Sequence, residues 1–362
     1  MDANKHHSSL SRPFASIRGF HYPAFGICGY SGSGKTSVIL ELVRQLTARG
    51  LAVGVIKHDT HGIQIDREGK DSDRLFRAGA DVLIGDPTQL CLRLHRRGET
   101  SLHEAIVQMA PCYDLVLVEG HKTTPLPNKV WLSGETGDDP PPEATGITRV
   151  LRRNEDRSRI LLGMIEDNLA STWQATPVYA GILFGGKSSR MGRPKHLLEI
   201  NGQTWLEQTV DCVRGAVEKV VLLGAGTIPD ALGDLPALPD VDAKQGPLRG
   251  MLAAMRWAPF ATWIFLPCDT PRVSSAAIRW LLQQRAPGRW AILPRTHGTD
   301  FIEPLPGCYD FRARTILEGL IAPSQLADHP ETHSPTIPAA LSSAWENINT
   351  PEDLAITKQK GE

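Results

Sequence analysis

Two glycine-rich loops in this 362-residue chain carry residues suited to holding phosphate. The first is Gly29-Tyr30-Ser31-Gly32-Ser33-Gly34-Lys35-Thr36, which fits GxxxxGK[ST] at every position and lies between an apolar strand and a helix. There Gly29, Gly32, Ser33 and Gly34 let backbone N–H groups turn inward around phosphate oxygens, and the helix N-terminus adds partial positive charge. Lys35 is placed to reach the outer phosphates and Thr36 to ligate Mg²⁺. The second loop runs from Leu183-Phe184-Gly185-Gly186 through Arg190-Met191-Gly192-Arg193-Pro194-Lys195. It leaves an apolar strand, turns on paired glycines and gathers several cations. Arg190 suits bidentate phosphate binding, and Lys195 acts as a mobile point charge.

Carboxylates stand where such loops need them. Glu119 ends the apolar run Leu115-Val116-Leu117-Val118, and Asp269 follows Phe265-Leu266-Pro267-Cys268. Open α/β sheets bind ligands beyond the carboxyl ends of their strands, so each acid can face Mg²⁺ or its water. The plain alternatives are a solvated strand-end acid for Glu119 and a helix cap for Asp269. Asp59 follows a strand in the same way, flanked by His58 and His61, a pair that suggests a metal although loop histidines are commonly bland. Asp71 and Ser72 are read as caps of the following helix.

The elements that must position these groups form two strand–loop–helix units, Ala24 to Gly50 and Val178 to Val210. After the first come strand-like runs 51–59, 80–86 and 113–121, read as buried, and helical stretches 70–80 and 101–110. After the second come strands at KVVLLGAG, TWIFLPCDTP and RWAILPR and helices at GPLRGMLAAMRWA and SSAAIRWLLQQ. The expected architecture is α/β: two doubly wound, mostly parallel-sheet domains, P-loop NTPase-like and then Rossmann-like. Their expected bounds are a disordered leader 1–20, a first domain 21–172, a linker 173–177 and a second domain 178–362. All groups of the second site lie downstream of the linker, so that half is expected to fold and act alone.

Composition narrows the partners. Lys and Arg total 39 against 40 Asp and Glu, a formal net charge of -1, which favours neither nucleic acid nor an acidic membrane. The six cysteines are scattered without a CxxC pair, which fits a reducing compartment better than a zinc site or disulfides. The N-terminus lacks an apolar signal region and no apolar run is long enough to cross a bilayer, so a cytoplasmic location is expected.

From Phe25 to Trp131 the chain resembles the molybdopterin-guanine dinucleotide biosynthesis adaptor family of P-loop GTP-binding proteins. The likeness rests on GYSGSGKTS, VIKHDTHG, DREGKDSDRLFRAGA and DLVLVEGHK. Residues 178–357 resemble the molybdenum cofactor guanylyltransferases through LFGGKSSRMGRPK, Pro239-Asp240 before Gln245-Gly246-Pro247-Leu248-Arg249-Gly250 (the family's D…GPLAG), Leu266-Pro267-Cys268-Asp269-Thr270-Pro271, Glu303-Pro304-Leu305 and Asn347-Ile348-Asn349-Thr350-Pro351-Glu352-Asp353-Leu354. This second resemblance implies that Leu183, Gly185, Gly186, Lys195, Asp240 and Asp269 contact nucleotide and that Asp269 ligates Mg²⁺, with Lys195, Arg190 and Asp269 as the catalytic group. Thr36 and Glu119 are the expected metal ligands of the first site.

The implied reaction is transfer of GMP from GTP to molybdopterin or its molybdenum form, releasing pyrophosphate. Mg²⁺ is the implied cofactor. A molybdenum insertion protein and recipient molybdoenzymes are the implied partners, with no nucleic acid and no membrane. The chain departs from the family pattern at Phe184, where alanine is usual, and in lacking the asparagine often found at the end of the strand Val220–Gly224. MGRPKHLL also looks like the sister cytidylyl branch. A cytidylyltransferase on the same cofactor, a sugar-phosphate nucleotidyltransferase, and a P-loop NTPase switch or scaffold with a non-catalytic C-terminal half are the alternatives.

Overall fold

The computed structural model of the chain describes residues 23–58, 66–95, 98, 100–135, 138–185, 194–242 and 244–348. Residues 1–20, Asp59, His61, Gly186 and Arg190, all singled out in the sequence, lie outside them.

In the N-terminal half, β1 (Ala24–Cys28) and β5 (Leu115–Glu119) are buried at all five positions each, as expected of parallel strands covered on both faces. With β2 (Val53–Lys57), β6 (Lys129–Leu132) and β7 (Arg149–Leu151) they form an all-parallel sheet in the order β2-β5-β1-β6-β7. Helices α1 (Lys35–Thr47) and α4 (Arg157–Ala175) cover one face through Ile39, Leu42, Leu161 and Ile165, and α3 (Leu102–Met109) covers the other through Leu102 and Ile106. Ser101 and Glu104 form a reciprocal capping box at the start of α3.

Two local readings are corrected here. The run 80–86 is not a buried strand of this sheet: β3 (Val82–Gly85) pairs only with β4 (Leu90–Arg93), in a separate hairpin. Its antiparallel register sets Leu83 opposite Leu92 on a solvent-facing side, where Leu83, Leu90 and Leu92 are exposed. Asp71 and Ser72 do not cap α2 (Asp71–Arg77), which has no side-chain cap. The work falls to Asp73, buried, which accepts from the Gly69 amide at 3.0 Å and pairs with Arg77 at 2.8 Å and Arg93 at 3.1 Å.

In the C-terminal half, β8 (Val178–Phe184), β11 (Lys219–Gly224), β12 (Ala237–Leu238) and β13 (Thr262–Pro267) are parallel neighbours. An antiparallel β15 (Gly307–Tyr309), then β14 (Ala291–Ile292) and β16 (Thr332–His333), complete a seven-stranded sheet in the order β12-β11-β8-β13-β15-β14-β16. The short hairpin β9 (Glu199–Ile200) and β10 (Gln203–Thr204) leads into α5 (Trp205–Arg214), which packs with α7 (Ser275–Gln283) on one face. Helices α6 (Leu248–Trp257) and α8 (Ala313–Leu317) pack on the other. Both sheets are doubly wound, as the alternating strand and helix signals imply.

The stretch read as a linker, 173–177, is helical through Ala175, because α4 is held at its far end. Arg285 donates from Nη2 to the Trp173 carbonyl at 3.4 Å and to Thr262 Oγ1 at 3.2 Å, and its guanidinium lies over the Trp173 ring. Only Thr176 and Pro177 separate α4 from β8.

The two halves meet around one carboxylate. Asp114, 1% exposed, accepts from the Ala52 amide on one oxygen at 2.9 Å. Its other oxygen accepts from Trp290 Nε1 at 2.9 Å and from the Gly288 amide at 3.3 Å. Arg312, also buried, sits 3.9 Å from it, donates to the Tyr113 carbonyl at 2.8 Å and pairs with Asp310 at 2.7 Å. Trp290 Nε1 finds its acceptor in the N-terminal half, and Arg312 divides its contacts between Asp310 of its own half and the Tyr113 carbonyl and Asp114 of the other. Asp114→Ala leaves the buried Trp290 indole N–H and the Gly288 amide without their acceptor, while Arg312 keeps Asp310. It is expected to lower the unfolding free energy by about 1–3 kcal/mol, read by urea denaturation followed through tryptophan fluorescence. A loss below about 1 kcal/mol would show that the carboxylate does not fasten the halves.

Candidate functional site

The C-terminal cleft, of about 540 Å³, opens at the carboxyl ends of β8, β11, β12 and β13. Its floor is Leu183, Phe184 and Gly185 from the end of β8, with Leu223 beside them. Glycine is required at this point by packing: Gly185 has φ 93° and a Cβ there would lie 2.2 Å from the Ala225 carbonyl oxygen, while one on Gly224, φ 126°, would lie 2.1 Å from the Phe184 oxygen. The two strand ends cross so closely that only backbone fits, which brings backbone groups to the cleft surface.

Lys195 and Asp269 meet at one end of the cleft, Nζ to Oδ2 3.2 Å, with the side chains 17% and 28% exposed. Asp269 follows β13, and Lys195 opens a short turn, Lys195–Leu197, beside it. Asp240 stands at the other end, past the edge strand β12, and also lines the cleft. The structure thus brings Leu183, Gly185, Lys195, Asp240 and Asp269 to one cavity; the side of the loop carrying Gly186 and Arg190 lies outside the described residues. Cys268, next to Asp269, has its thiol pushed up to about 12 by burial, so it stays protonated at neutral pH and offers no nucleophile.

Two residues, one behind the cleft and one lining it, escaped the sequence reading. His196 is buried, with Nε2 3.1 Å from the Thr227 carbonyl and its ring edge-on to Phe184 at 5.3 Å. Its Nε2 must carry the proton to donate that bond, and burial holds the ring below its ordinary pKa. It ties the Lys195 turn to the loop after β11, and nothing but its adjacency to Lys195 signals it in the sequence. Arg249, in the first turn of α6, lines the cleft beside Asp240, at a position where the family's GPLAG has alanine.

The N-terminal site assembles at the carboxyl ends of β1 and β5. Gly32 and Gly34 have φ of 77° and 88°, the left-handed turns the phosphate loop needs. A Cβ on Gly29 would lie 2.5 Å from both the Leu132 oxygen and Ser33 Oγ. Lys35 Nζ donates to the Tyr30 carbonyl at 2.8 Å, and burial lowers its pKa. Thr36 Oγ1 donates to Glu119 Oε1 at 3.1 Å, so the two expected ligands of this site are neighbours. Ser33 Oγ is buried without a hydrogen-bond partner. Behind the loop, Arg157 of α4 is buried and donates from Nη1 to the Ser33 carbonyl at 2.8 Å, from Nη2 to the Ser133 and Leu151 carbonyls and from Nε to that of Arg152. It joins the phosphate loop to the ends of β6 and β7. His58 packs against His121, ring centroids 5.0 Å apart, rather than against any described acid.

Both sites offer hard oxygen donors of the kind Mg²⁺ takes: a hydroxyl and a carboxylate in the first, a strand-end carboxylate in the second. Among the described residues no group of three or more His, Cys, Asp or Glu gathers that could hold a metal ion. Among the same residues no helix is long and apolar enough to cross a membrane.

Comparison with known proteins divides the chain in the same place. Residues 24–147 match the family described as molybdopterin guanine dinucleotide synthesis protein B, and residues 180–334 match the MobA-like NTP transferase domain. Over 123 residues the chain is 41% identical to the molybdopterin-guanine dinucleotide biosynthesis adapter protein of Haemophilus influenzae, covering 33% of this chain and 68% of that protein. It is 30% identical over 191 residues to a probable molybdenum cofactor guanylyltransferase of Pelotomaculum thermopropionicum, covering 50% of this chain and 90% of that one. Among solved structures it is similar to molybdopterin-guanine dinucleotide biosynthesis protein A of Archaeoglobus fulgidus, at 20% identity and a TM-score of 0.42, over 51% of this chain and 98% of that one. With these matches falling on the phosphate loop and on the Lys195–Asp269 cleft, the chain belongs to two families at once: its N-terminal half is a molybdopterin guanine dinucleotide synthesis protein B, and its C-terminal half is a MobA-like nucleotidyltransferase.

Proposed function

We propose that the C-terminal half transfers GMP from GTP to the terminal phosphate of molybdopterin, in its molybdenum-bearing form, to give molybdopterin guanine dinucleotide and pyrophosphate, with the N-terminal half as its GTP-binding adaptor. The observation that carries this reading is the Lys195–Asp269 pair, 3.2 Å apart, at the strand-end mouth of a cleft whose far end is Asp240. Relatives named as guanylyltransferases support the base, and a relative named as the guanine-dinucleotide adapter supports the fused partner.

The attacking group is an anionic phosphate oxygen, so no general base is needed; the barrier is charge repulsion at the α-phosphorus. Lys195 lies where it can neutralise the charge that develops on the triphosphate, and backbone groups of Leu183 and Gly185 can hold the nucleotide in line. Asp269 would hold Mg²⁺, which would supply Lewis-acid stabilisation of the same charge. The transfer is read as direct attack of the acceptor phosphate on the α-phosphorus, without a covalent enzyme intermediate. In the N-terminal half Lys35, Thr36 and Glu119 form the triphosphate and Mg²⁺ site, with the loop held in shape by Arg157. Cytidylyl transfer is the second reading, favoured by the absence of asparagine in Lys219–Gly224.

The deciding assay supplies full-length protein and Mg²⁺ with molybdopterin and competing GTP and CTP, and identifies the dinucleotide by mass. The guanine product is expected; mostly cytosine product would overturn the guanylyl reading. Asp269→Asn is expected to keep the fold and lower transfer by about two to three orders of magnitude, and near-normal turnover would remove Asp269 from the metal role. Lys35→Ala is expected to abolish triphosphate binding at the first site while dinucleotide still forms at the second. A variant as inactive in transfer as Asp269→Asn would show that the two sites are not separable.

A further inference from the structure

The cleft has a direction. Lys195 and Asp269 lie past β13, whereas Asp240 lies past β12, and β11 and β8 stand between them in the sheet. Three strand spacings separate the two ends, roughly 14 Å, about the length of a nucleoside triphosphate laid across the strand ends. With its phosphates at Lys195, the base falls beside Asp240 and Arg249.

Arg249 is poised at that end without being used up there. Its Nε donates to the Val241 carbonyl at 3.1 Å and sits 3.7 Å from Asp240 Oδ2, which sets the direction of the guanidinium. Its Nη2 touches Asp242 Oδ1 at 3.4 Å, and that carboxylate is fully exposed. A solvent-side pair of this kind contributes little and is readily exchanged. The side chain is 37% exposed and lines the cleft, so its terminal N–H edge is open to a ligand. Beside it, Gly250 keeps the floor open: a Cβ there would come within 2.7 Å of Leu183 and 3.5 Å of Asp240 Oδ1.

We propose that Arg249 reads the base: its guanidinium donates to the paired acceptors O6 and N7 of guanine, with Asp240 and the Val241 carbonyl holding it in register. Guanine presents two adjacent acceptors, O6 and N7, on the edge of the purine remote from the sugar, which match two parallel N–H donors. Adenine keeps N7 but sets an amino donor against the guanidinium. Cytosine presents its N4 amino donor on the outer edge, and its own adjacent acceptors, O2 and N3, lie nearer the sugar, out of register with a fork placed for O6 and N7. A buried or half-buried donor left facing a donor costs far more than a matched pair gains, which is how such a site rejects the wrong base. This inference rests on the guanylyl reading above and assigns that selectivity to one side chain.

The test measures kcat/KM of the full-length chain with molybdopterin for GTP, CTP and 7-deaza-GTP, which lacks the N7 acceptor, in the wild type, Arg249→Ala and Arg249→Lys. The wild type is expected to favour GTP over both others. In Arg249→Ala the GTP-to-CTP ratio is expected to drop about 5- to 150-fold, and the preference for GTP over 7-deaza-GTP to vanish. Arg249→Lys, which keeps the charge but not the fork, should not restore either ratio. Equal loss with all three nucleotides would mean that Arg249 acts on phosphate or on the fold, and would overturn the assignment. So would an Arg249→Ala enzyme that still distinguishes GTP from 7-deaza-GTP. A wild type that prefers CTP would instead sink the guanylyl reading itself, and is visible before any variant is made.

Discussion

The arrangement of the whole molecule follows from the burial of Asp114 between the two halves. A carboxylate that has left water needs its oxygens filled, and the donors come from both sides: the Ala52 amide from its own half, and the Trp290 indole and Gly288 amide from the other. Arg312 adds the counter-charge and reaches the Tyr113 carbonyl as well. Asp114 immediately precedes β5, and Thr262, which Arg285 links to Trp173, begins β13. The halves therefore meet at the amino ends of their parallel strands. Their phosphate-site loops lie at the carboxyl ends, away from the joint.

Within the transferase half the controlling constraint is the near-contact of β8 and β11. Gly185 and Gly224 allow carbonyl oxygens of Ala225 and Phe184 to come where a side chain would collide. That approach presents backbone rather than side chains at this point of the cleft. At Phe184, where the family pattern has alanine, the ring packs edge-on against His196, which in turn anchors the Lys195 turn. A change that looks like a departure in the motif is absorbed by its partner in space.

In the N-terminal half, helix α4 links the phosphate loop to the joint. Its first residue, Arg157, supports Ser33, and its last turn carries Trp173 beneath Arg285 and Arg312. The helix runs on past the stretch that reads as linker because those contacts continue to its last turn. Composition there, Ser171 to Pro177, resembles a loop, and only the tertiary contacts overrule it.

What was legible in the amino-acid order was short-range. GYSGSGKT and the cation loop ending at Lys195 are local patterns in which backbone freedom and charge lie within a few residues. The strand-end acids Glu119 and Asp269 follow from apolar runs that end in a carboxylate. The two-sheet α/β architecture follows from alternating strand and helix signals, because each such signal reports a face that must be buried. What only the tertiary structure decided was everything that depends on which strand ends become neighbours. The hairpin of Val82–Gly85 joined no main sheet, since its pattern alone cannot say which edge it will meet. Arg249 became a cleft residue because β12, which carries Asp240 at its end, is the edge strand beside β11. Asp114, an ordinary acid in DLVLVEGH, became the fastening of two domains, because its partners Trp290 and Arg312 lie 176 and 198 residues downstream and only folding brings their donors to it.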